Sequence, residues 1–124
     1  MKFKNLATLL LAGTMSINCA LNKQYNHTPY TKQEKMWLGA SALGAAADVI
    51  TTQQGLNQGL VEQNPIYGRN PSLESLIFGK LVFLGILYGL GEIDQKHRKT
   101  YYKIGTFCGF GPATWNYYQI EKNR

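Results

Sequence analysis

Apolar residues in this chain are concentrated in four runs, at positions 6–17, 36–50, 73–93 and 101–120, and polar stretches separate these runs. The last three runs are long enough to form helices. We therefore predict an all-α protein. Two helices form a small antiparallel hairpin, a third helix is interrupted by glycines, and the fold is associated with a membrane.

The first helix is predicted to begin near Thr31 and to end near Gly55. The segment Thr31-Lys-Gln-Glu34 has capping-box spacing, in which the hydroxyl accepts from the third amide and the carboxylate reaches back. Small and polar residues recur on one face of this helix: Ala40, Gly44, Asp48 and Thr52, with Ala47, Thr51 and Gly55 beside them. Such a face lets another helix approach closely. The alternative is a plain Ala-rich helix with little apolar content.

The loop at residues 56–72 is rich in turn-forming residues. Asn64-Pro65 is expected to reverse the chain so that the flanking helices lie antiparallel. Ser72 can cap the next helix, or Asn70 can do so with Pro71 at the first helical position. Glu74 is then expected in the first turn, where the helix dipole favours a carboxylate.

The second helix, residues 73–93, is the best candidate for a membrane span, because it approaches the roughly 20 apolar residues that a span requires. The basic cluster of residues 96–99 follows it, as is common on the cytoplasmic side. Lys80 lies about seven residues into the helix, or roughly 10 Å along its axis. Its ammonium group either reaches back to the lipid headgroups or forms a buried pair with Asp48 or Glu62.

The third helix, within residues 101–120, contains Gly109, Gly111 and Pro112, which are expected to break or kink it. Its Trp and Tyr residues suit the membrane interface. Cys108 is interpreted as a small buried residue of this helix.

The N-terminus has the shape of a secretory signal peptide, residues 1–18, with a basic start and an apolar stretch. Ser16-Ile-Asn-Cys19-Ala20 resembles the lipobox of bacterial lipoproteins, which implies lipidation of Cys19. The alternative is an uncleaved anchor in which Cys19 is incidental. Residues 19–33 are then a polar tether, in which His27 is a solvated residue without ligand-spaced neighbours.

Composition limits the function classes. The 124 residues suffice for one small helical domain, at residues 34–120, and exclude a large enzyme core. Only 16% of residues are charged, against roughly 25% in soluble domains, which favours a membrane setting. The net charge is +6, but the basic residues are scattered and no nucleic-acid-binding signature joins them, so no nucleic-acid partner is predicted.

The region from about Trp37 to Ile120 resembles an uncharacterised family of small prokaryotic multi-pass membrane proteins. The pattern that carries the resemblance is an Asp with a Thr one turn later, a glycine-containing loop, Glu-x-Asn-Pro and a Lys in the next apolar helix. The matching residues are Asp48, Thr52, Glu62, Asn64 and Lys80. The resemblance implies that they act as a unit, but it supplies no reaction. We interpret the unit as a polar network in which an acid neutralises Lys80 and Thr52 donates to a carboxylate.

These patterns predict a membrane-anchored accessory or structural lipoprotein of the cell membrane or envelope. Its expected partners are membrane lipid and either another membrane protein or further copies of itself. No catalytic residue, cofactor or metal site is predicted, because no Ser-His or Cys-His pairing, metal-spaced cluster or phosphate-binding glycine loop occurs. Two alternatives stay open: a membrane enzyme or transporter component that uses Asp48, Glu62 and Lys80, and a small envelope protein of viral or plasmid origin.

The sequence leaves open two arrangements of the helices across the membrane. If the N-terminus is exported and the second helix places residues 96–99 inside, the loop around Glu62 lies outside and the first helix cannot also cross. Otherwise the N-terminal segment is not exported and all three later helices span the membrane.

Overall fold

A computed structural model describes residues 26–124, and these residues form three long helices and no strand. Helix α1 is Lys32–Asn57, α2 is Leu73–Ile93 and α3 is Arg98–Lys122, with a 3-10 turn at Gln95–His97 between the last two. The prediction of an all-α protein is confirmed. The predicted signal peptide, Cys19 and the first part of the predicted tether lie outside the described residues.

The helix starts follow local capping chemistry. At α1, Thr31 accepts a hydrogen bond from the Glu34 amide at 3.2 Å, and Glu34 accepts one from the Thr31 amide at 2.7 Å, which confirms the capping box. At α2, the Ser72 hydroxyl accepts from the Ser75 amide at 3.2 Å. Of the two caps predicted for α2, the structure therefore uses Ser72.

The three helices run up, down and up. Near its start, α1 offers the Trp37 carbonyl to the Thr106 hydroxyl of α3 at 3.3 Å. Near its end, Gly55 lies beside Ile120, close to the end of α3. Helices α1 and α3 are therefore parallel, and α2 runs antiparallel to both. The main packing of the fold is between α1 and α3, not within the hairpin of α1 and α2.

Glycines allow α1 and α3 to come this close. A Cβ on Gly109 would clash with the backbone of Gly44 and Ala45, and a Cβ on Gly44 would lie 3.1 Å from the Phe110 nitrogen. A small side chain is needed wherever two helix backbones approach in this way. The close approach predicted for the small face of α1 is confirmed, and its partner is α3.

Of the two outcomes predicted for the third helix, the break is wrong, because α3 continues through Pro112 without interruption. Pro112 has no backbone N–H to donate to the carbonyl one turn earlier, which normally weakens a helix. The turn before it packs on α1 through Gly109, and the kink stays a prediction. The interpretation of Cys108 is also wrong, since its side chain is exposed.

Apolar and polar residues share the interior of the described bundle. Seven of the described apolar residues are buried: Ala45, Val49, Leu76, Leu87, Tyr102, Ala113 and Ile120. Five polar or charged residues are buried: Ser41, Asp48, Thr52, Arg98 and Thr106. Large apolar side chains point outward from every helix, among them Leu43 of α1, Phe78 of α2 and Phe107 of α3, which are each about 70% exposed (68%, 70% and 71%). Among the described residues one helix, α2, is long and apolar enough to cross a membrane, with a mean hydropathy of 1.8.

Candidate functional site

An ion pair between helices forms the centre of the candidate site. The Lys80 ammonium of α2 contacts the carboxylate Oδ2 of Asp48 in α1, and the two side chains are 17% and 8% exposed. Of the alternatives predicted for Lys80, the structure has the pair with Asp48. Because each ion lies largely away from water, the pair neutralises charges that would be costly if left alone.

The other carboxylate oxygen of Asp48 binds polar groups of α1 and α3. Thr52 donates to Oδ1 at 3.4 Å, and the amide Nδ2 of Asn116 donates to the same oxygen at 3.1 Å. Asn116 Nδ2 also lies 2.9 Å from the Thr52 hydroxyl and 3.4 Å from the Thr51 hydroxyl. Asp48 is thus the point at which all three helices are joined by polar contacts.

Glu62 and Asn64 have a separate role in the loop. Glu62 accepts from the Asn64 amide at 2.7 Å, and its own amide donates to the Arg69 carbonyl at 3.0 Å. The Asn64 side chain accepts from the Ile66 amide, and its carbonyl accepts from the Tyr67 amide, so that Pro65 lies at the second position of a tight turn. The chain reversal predicted for Asn64-Pro65 is present, and these two side chains bond to the loop itself.

A groove of about 640 Å³ between the helices and the loop unites the predicted residues. Asp48, Thr52, Glu62, Asn64 and Lys80 all line it, together with Asn116. Val82, Phe83 and Ile86 of α2 also line the groove and give it apolar surface. The predicted residues are therefore neighbours around one cavity, but only Asp48, Thr52 and Lys80 belong to the bonded cluster.

The arrangement of these residues favours a structural role, in which the ion pair holds α2 in place, over a catalytic role. Among the described residues, two carboxylates line the groove, those of Asp48 and Glu62. Lys80 forms an ion pair with Asp48 and not with Glu62, so the charges of Asp48 and Lys80 neutralise each other. A carboxylate–lysine pair at a groove is more often structural than catalytic. Within residues 26–124, no group of three or more His, Cys, Asp or Glu side chains is placed to hold a metal ion.

A second polar cluster, which the sequence did not reveal, lies at the corner between α2 and α3. Arg98 is 1% exposed, and it donates to the Gly91 carbonyl at 3.2 Å and to the Thr28 carbonyl at 3.0 Å. Its guanidinium lies 3.6 Å from a Glu92 oxygen and 4.2 Å from the centre of the Tyr30 ring. The basic cluster of residues 96–99 therefore includes one buried arginine that anchors the corner.

The segment before α1 packs on this corner. His27 Nδ1 lies 3.3 Å from Glu92, and the Thr28 amide donates to the Gln95 side chain at 2.7 Å. The Tyr30 hydroxyl donates to Glu92, and burial together with this hydrogen bond raises the pKa of Tyr30 above its ordinary value. The described part of the predicted tether is thus bound to the bundle. His27 is exposed, as expected for a solvated residue, and it also contacts Glu92.

The 3-10 turn closes the corner through Asp94. Its carboxylate accepts from Tyr101 at 2.9 Å and lies 2.9 Å from His97 Nδ1. These contacts, that of His97 first, lower the pKa of Asp94 below its ordinary value.

Asn116 and Arg98 are the residues that sequence reasoning missed. Asn116 had one available signal, since it is an amide within the aromatic stretch Trp115-Asn-Tyr-Tyr118. No signal in the sequence marked Arg98, because it stands in a basic cluster of the kind that usually lies in water at the end of a membrane span. Both act through partners far away in sequence: 68 residues separate Asn116 from Asp48, and 70 separate Arg98 from Thr28.

Comparison of the chain with protein-family models, with curated proteins and with solved structures finds no match. The resemblance to a family of multi-pass membrane proteins stays a prediction. Function must therefore be inferred from the geometry of this bundle.

Proposed function

We propose that the chain is an accessory or structural protein embedded in the cell membrane, whose helices are held together by the polar network around Asp48 and Lys80. The observation that carries this proposal is the distribution of polarity: charged and hydroxyl side chains are buried beside a small apolar core, while many large apolar side chains face outward from all three helices. In lipid this distribution is favourable, because apolar side chains meet acyl chains and polar ones satisfy each other inside.

The weak attachment of α2 explains why the network is needed. Only 17% of the most apolar 18-residue segment of α2 is buried within the protein, whereas α1 and α3 pack closely on each other. No hydrophobic effect drives helices together in lipid, so polar contacts and close packing must do so. The Lys80–Asp48 pair is placed to hold α2 against the pair of parallel helices.

Membrane fractionation of the full chain tests the proposal. We expect the protein to stay with membranes through washes with high salt and with urea at neutral pH. Leu81→Arg places a charge on the outward face of α2, two residues from the middle of the helix, and should reduce membrane retention. The cost of such a charge near the membrane centre is about 2.5–3.5 kcal/mol. Glu121→Arg adds the same side chain on the exposed last turn of α3 and should not do so. Release of the unmodified chain by urea would contradict the proposal.

The partner of an accessory protein can be sought in the same preparation. After solubilisation in a mild detergent, we expect chemical cross-linking to capture either one stoichiometric membrane protein or further copies of this chain. A strictly monomeric chain without a partner would argue against the accessory role. Export and acylation of Cys19 stay a separate prediction, which intact mass measurement tests.

A second candidate is a membrane enzyme or a transporter component. The observation that favours it is the groove, because Asp48, Glu62 and Lys80 line one cavity of a size that accepts small ligands. Asp48→Asn distinguishes the two functions. Loss of turnover or flux with an unchanged unfolding temperature would favour the second candidate, whereas loss of stability alone favours the structural role.

A further inference from the structure

The two ends of the bundle differ in charge. We call the end formed by the start of α1, the end of α2 and the start of α3 the basic end. It carries six Lys and Arg residues: Lys32, Lys35, Lys96, Arg98, Lys99 and Lys103. The opposite end carries three: Arg69, Lys122 and Arg124. Each end also has three acidic residues, so the excess of positive charge belongs to the basic end alone.

Tertiary contacts bring these basic residues together from two separate parts of the sequence. The Lys99 ammonium donates to the Gln33 side chain at 3.3 Å, and the Lys103 ammonium lies 5.3 Å from the centre of the Trp37 ring. Four of the lysines are exposed, at positions 32, 35, 96 and 99. Because α1 and α3 are parallel, their basic first turns lie side by side.

The distance between the two ends matches a bilayer. At 1.5 Å per residue, the 21 residues of α2 and the 26 residues of α1 extend over about 32 and 39 Å, and the hydrocarbon core measures roughly 30 Å. At the opposite end, Trp115, Tyr117 and Tyr118 are all more than half exposed. Exposed aromatic residues at that level are typical of a membrane interface.

We propose that the basic end is the cytoplasmic face of a three-span bundle and that its exposed lysines rest on anionic lipid headgroups. In this bundle α1 and α3 cross as a closely packed pair, although among the described helices only α2 is apolar enough to cross by itself. This inference depends on the proposed membrane location. Lys and Arg residues close to the ends of spans are retained on the cytoplasmic side, and they bind the anionic lipids of that surface. Since α1 and α3 run in the same direction, the loop that holds Glu62 and the C-terminus both lie outside. Of the two topologies open from the sequence, this is the one without export of the N-terminal segment.

Reporter fusions to the C-terminus of the full chain test the orientation. One reporter is active only outside the cytoplasm and the other only inside it. We expect the external reporter to be active after Arg124 and the internal one to be silent. Lys96→Gln/Lys99→Gln/Lys103→Gln equalises the two ends and should give a mixture of orientations. Its matched control, Arg69→Gln/Lys122→Gln/Arg124→Gln, removes the same charge from the opposite end and should keep the original orientation.

Lipid binding provides a second readout on purified protein in neutral detergent. Adding phosphatidylglycerol should raise the unfolding temperature of the unmodified chain more than adding phosphatidylcholine does. The triple variant at the basic end should lose this difference, and the triple variant at the opposite end should retain it. An equal response to both lipids would overturn the assignment of an anionic lipid partner.

The outcomes separate this inference from the proposed function. A chain that urea releases from membranes disproves the membrane location itself. A chain that stays in the membrane but activates only the internal reporter disproves the orientation alone. Intact mass showing cleavage before an acylated Cys19 would also overturn the orientation, because it would place the basic end outside.

Discussion

Lys80 of α2 and Asp48 of α1 form an ion pair in the interior of the bundle, where the Asp48 side chain is only 8% exposed. The two residues lie on antiparallel helices, and α2 has little other attachment to α1. Their pairing therefore ties the most apolar helix to α1, while Arg98 and the packing of Leu87 beside Gly105 hold it against α3. Its energetic role can be measured directly.

Lys80→Ala should strongly destabilise the protein, by about 3–5 kcal/mol, because it leaves Asp48 buried without its counterion. In Lys80→Ala/Asp48→Ala both charges are gone, so the loss of stability should be smaller than the sum of the two single losses. Thermal unfolding in detergent, followed by circular dichroism, measures all three variants. Strictly additive losses would show that the two side chains do not act together.

Asn116→Ala should destabilise the protein by about 1–3 kcal/mol, because the Asp48 Oδ1 loses a donor inside the bundle. Asn123→Ala is the matched control. That residue caps the end of the same helix, and its side-chain amide donates to the Gln119 carbonyl in an exposed hydrogen bond. Chaotrope unfolding should give a clear loss for the first variant and little change for the second. An equal change in stability for the two variants would show that Asn116 does not contribute to the network.

Gly109→Ala should separate α1 from α3, because the new methyl group would meet the backbone of Gly44 and Ala45, which cannot move aside like a flexible side chain. The expected cost is about 1–3 kcal/mol or more, as for other overpacked positions. Gly39→Ala is the control, since a Cβ there meets nothing within 4 Å. It should gain about 0.5–1 kcal/mol from helix propensity. A neutral Gly109→Ala would contradict the close packing of the two helices.

The Tyr30–Glu92 contact should make stability depend on pH in the alkaline range. Folding raises the pKa of Tyr30, so its contribution is fully present below the pKa of the unfolded chain, about 10. It is lost as the pH rises from there through the folded value. Unfolding temperatures of Tyr30→Phe and the unmodified chain should therefore converge above about pH 10. Tyr117→Phe, at an exposed position, is the control, and its unfolding temperature should equal that of the unmodified chain at every pH. If the difference in unfolding temperature between Tyr30→Phe and the unmodified chain did not change with pH, the role of the Tyr30–Glu92 contact would be refuted.

Local features of the fold could be read from the sequence because each depends on residues within a few positions. The Thr31–Glu34 capping box, the Ser72 cap and the Asn64-Pro65 turn are all closed by hydrogen bonds over two or three residues. The bounds of α2 follow from one apolar run, in which Lys80 is the only charged residue between Glu74 and Glu92. The glycines and Pro112 of the third helix predict a break, but α3 is continuous there and packs on α1 through Gly109, a contact that no local pattern shows.

By itself, then, the sequence determined three helices, the N-terminal caps of the first two, the turn between those two and the polar residues that are costly to leave alone in an apolar setting. Only the tertiary structure decided that α1 packs parallel to α3, that Asn116 completes the network and that Arg98 is buried. The contacts responsible join residues 64 to 70 positions apart. Such partners are chosen by which surfaces fit together in three dimensions, and no local pattern of residues encodes that choice.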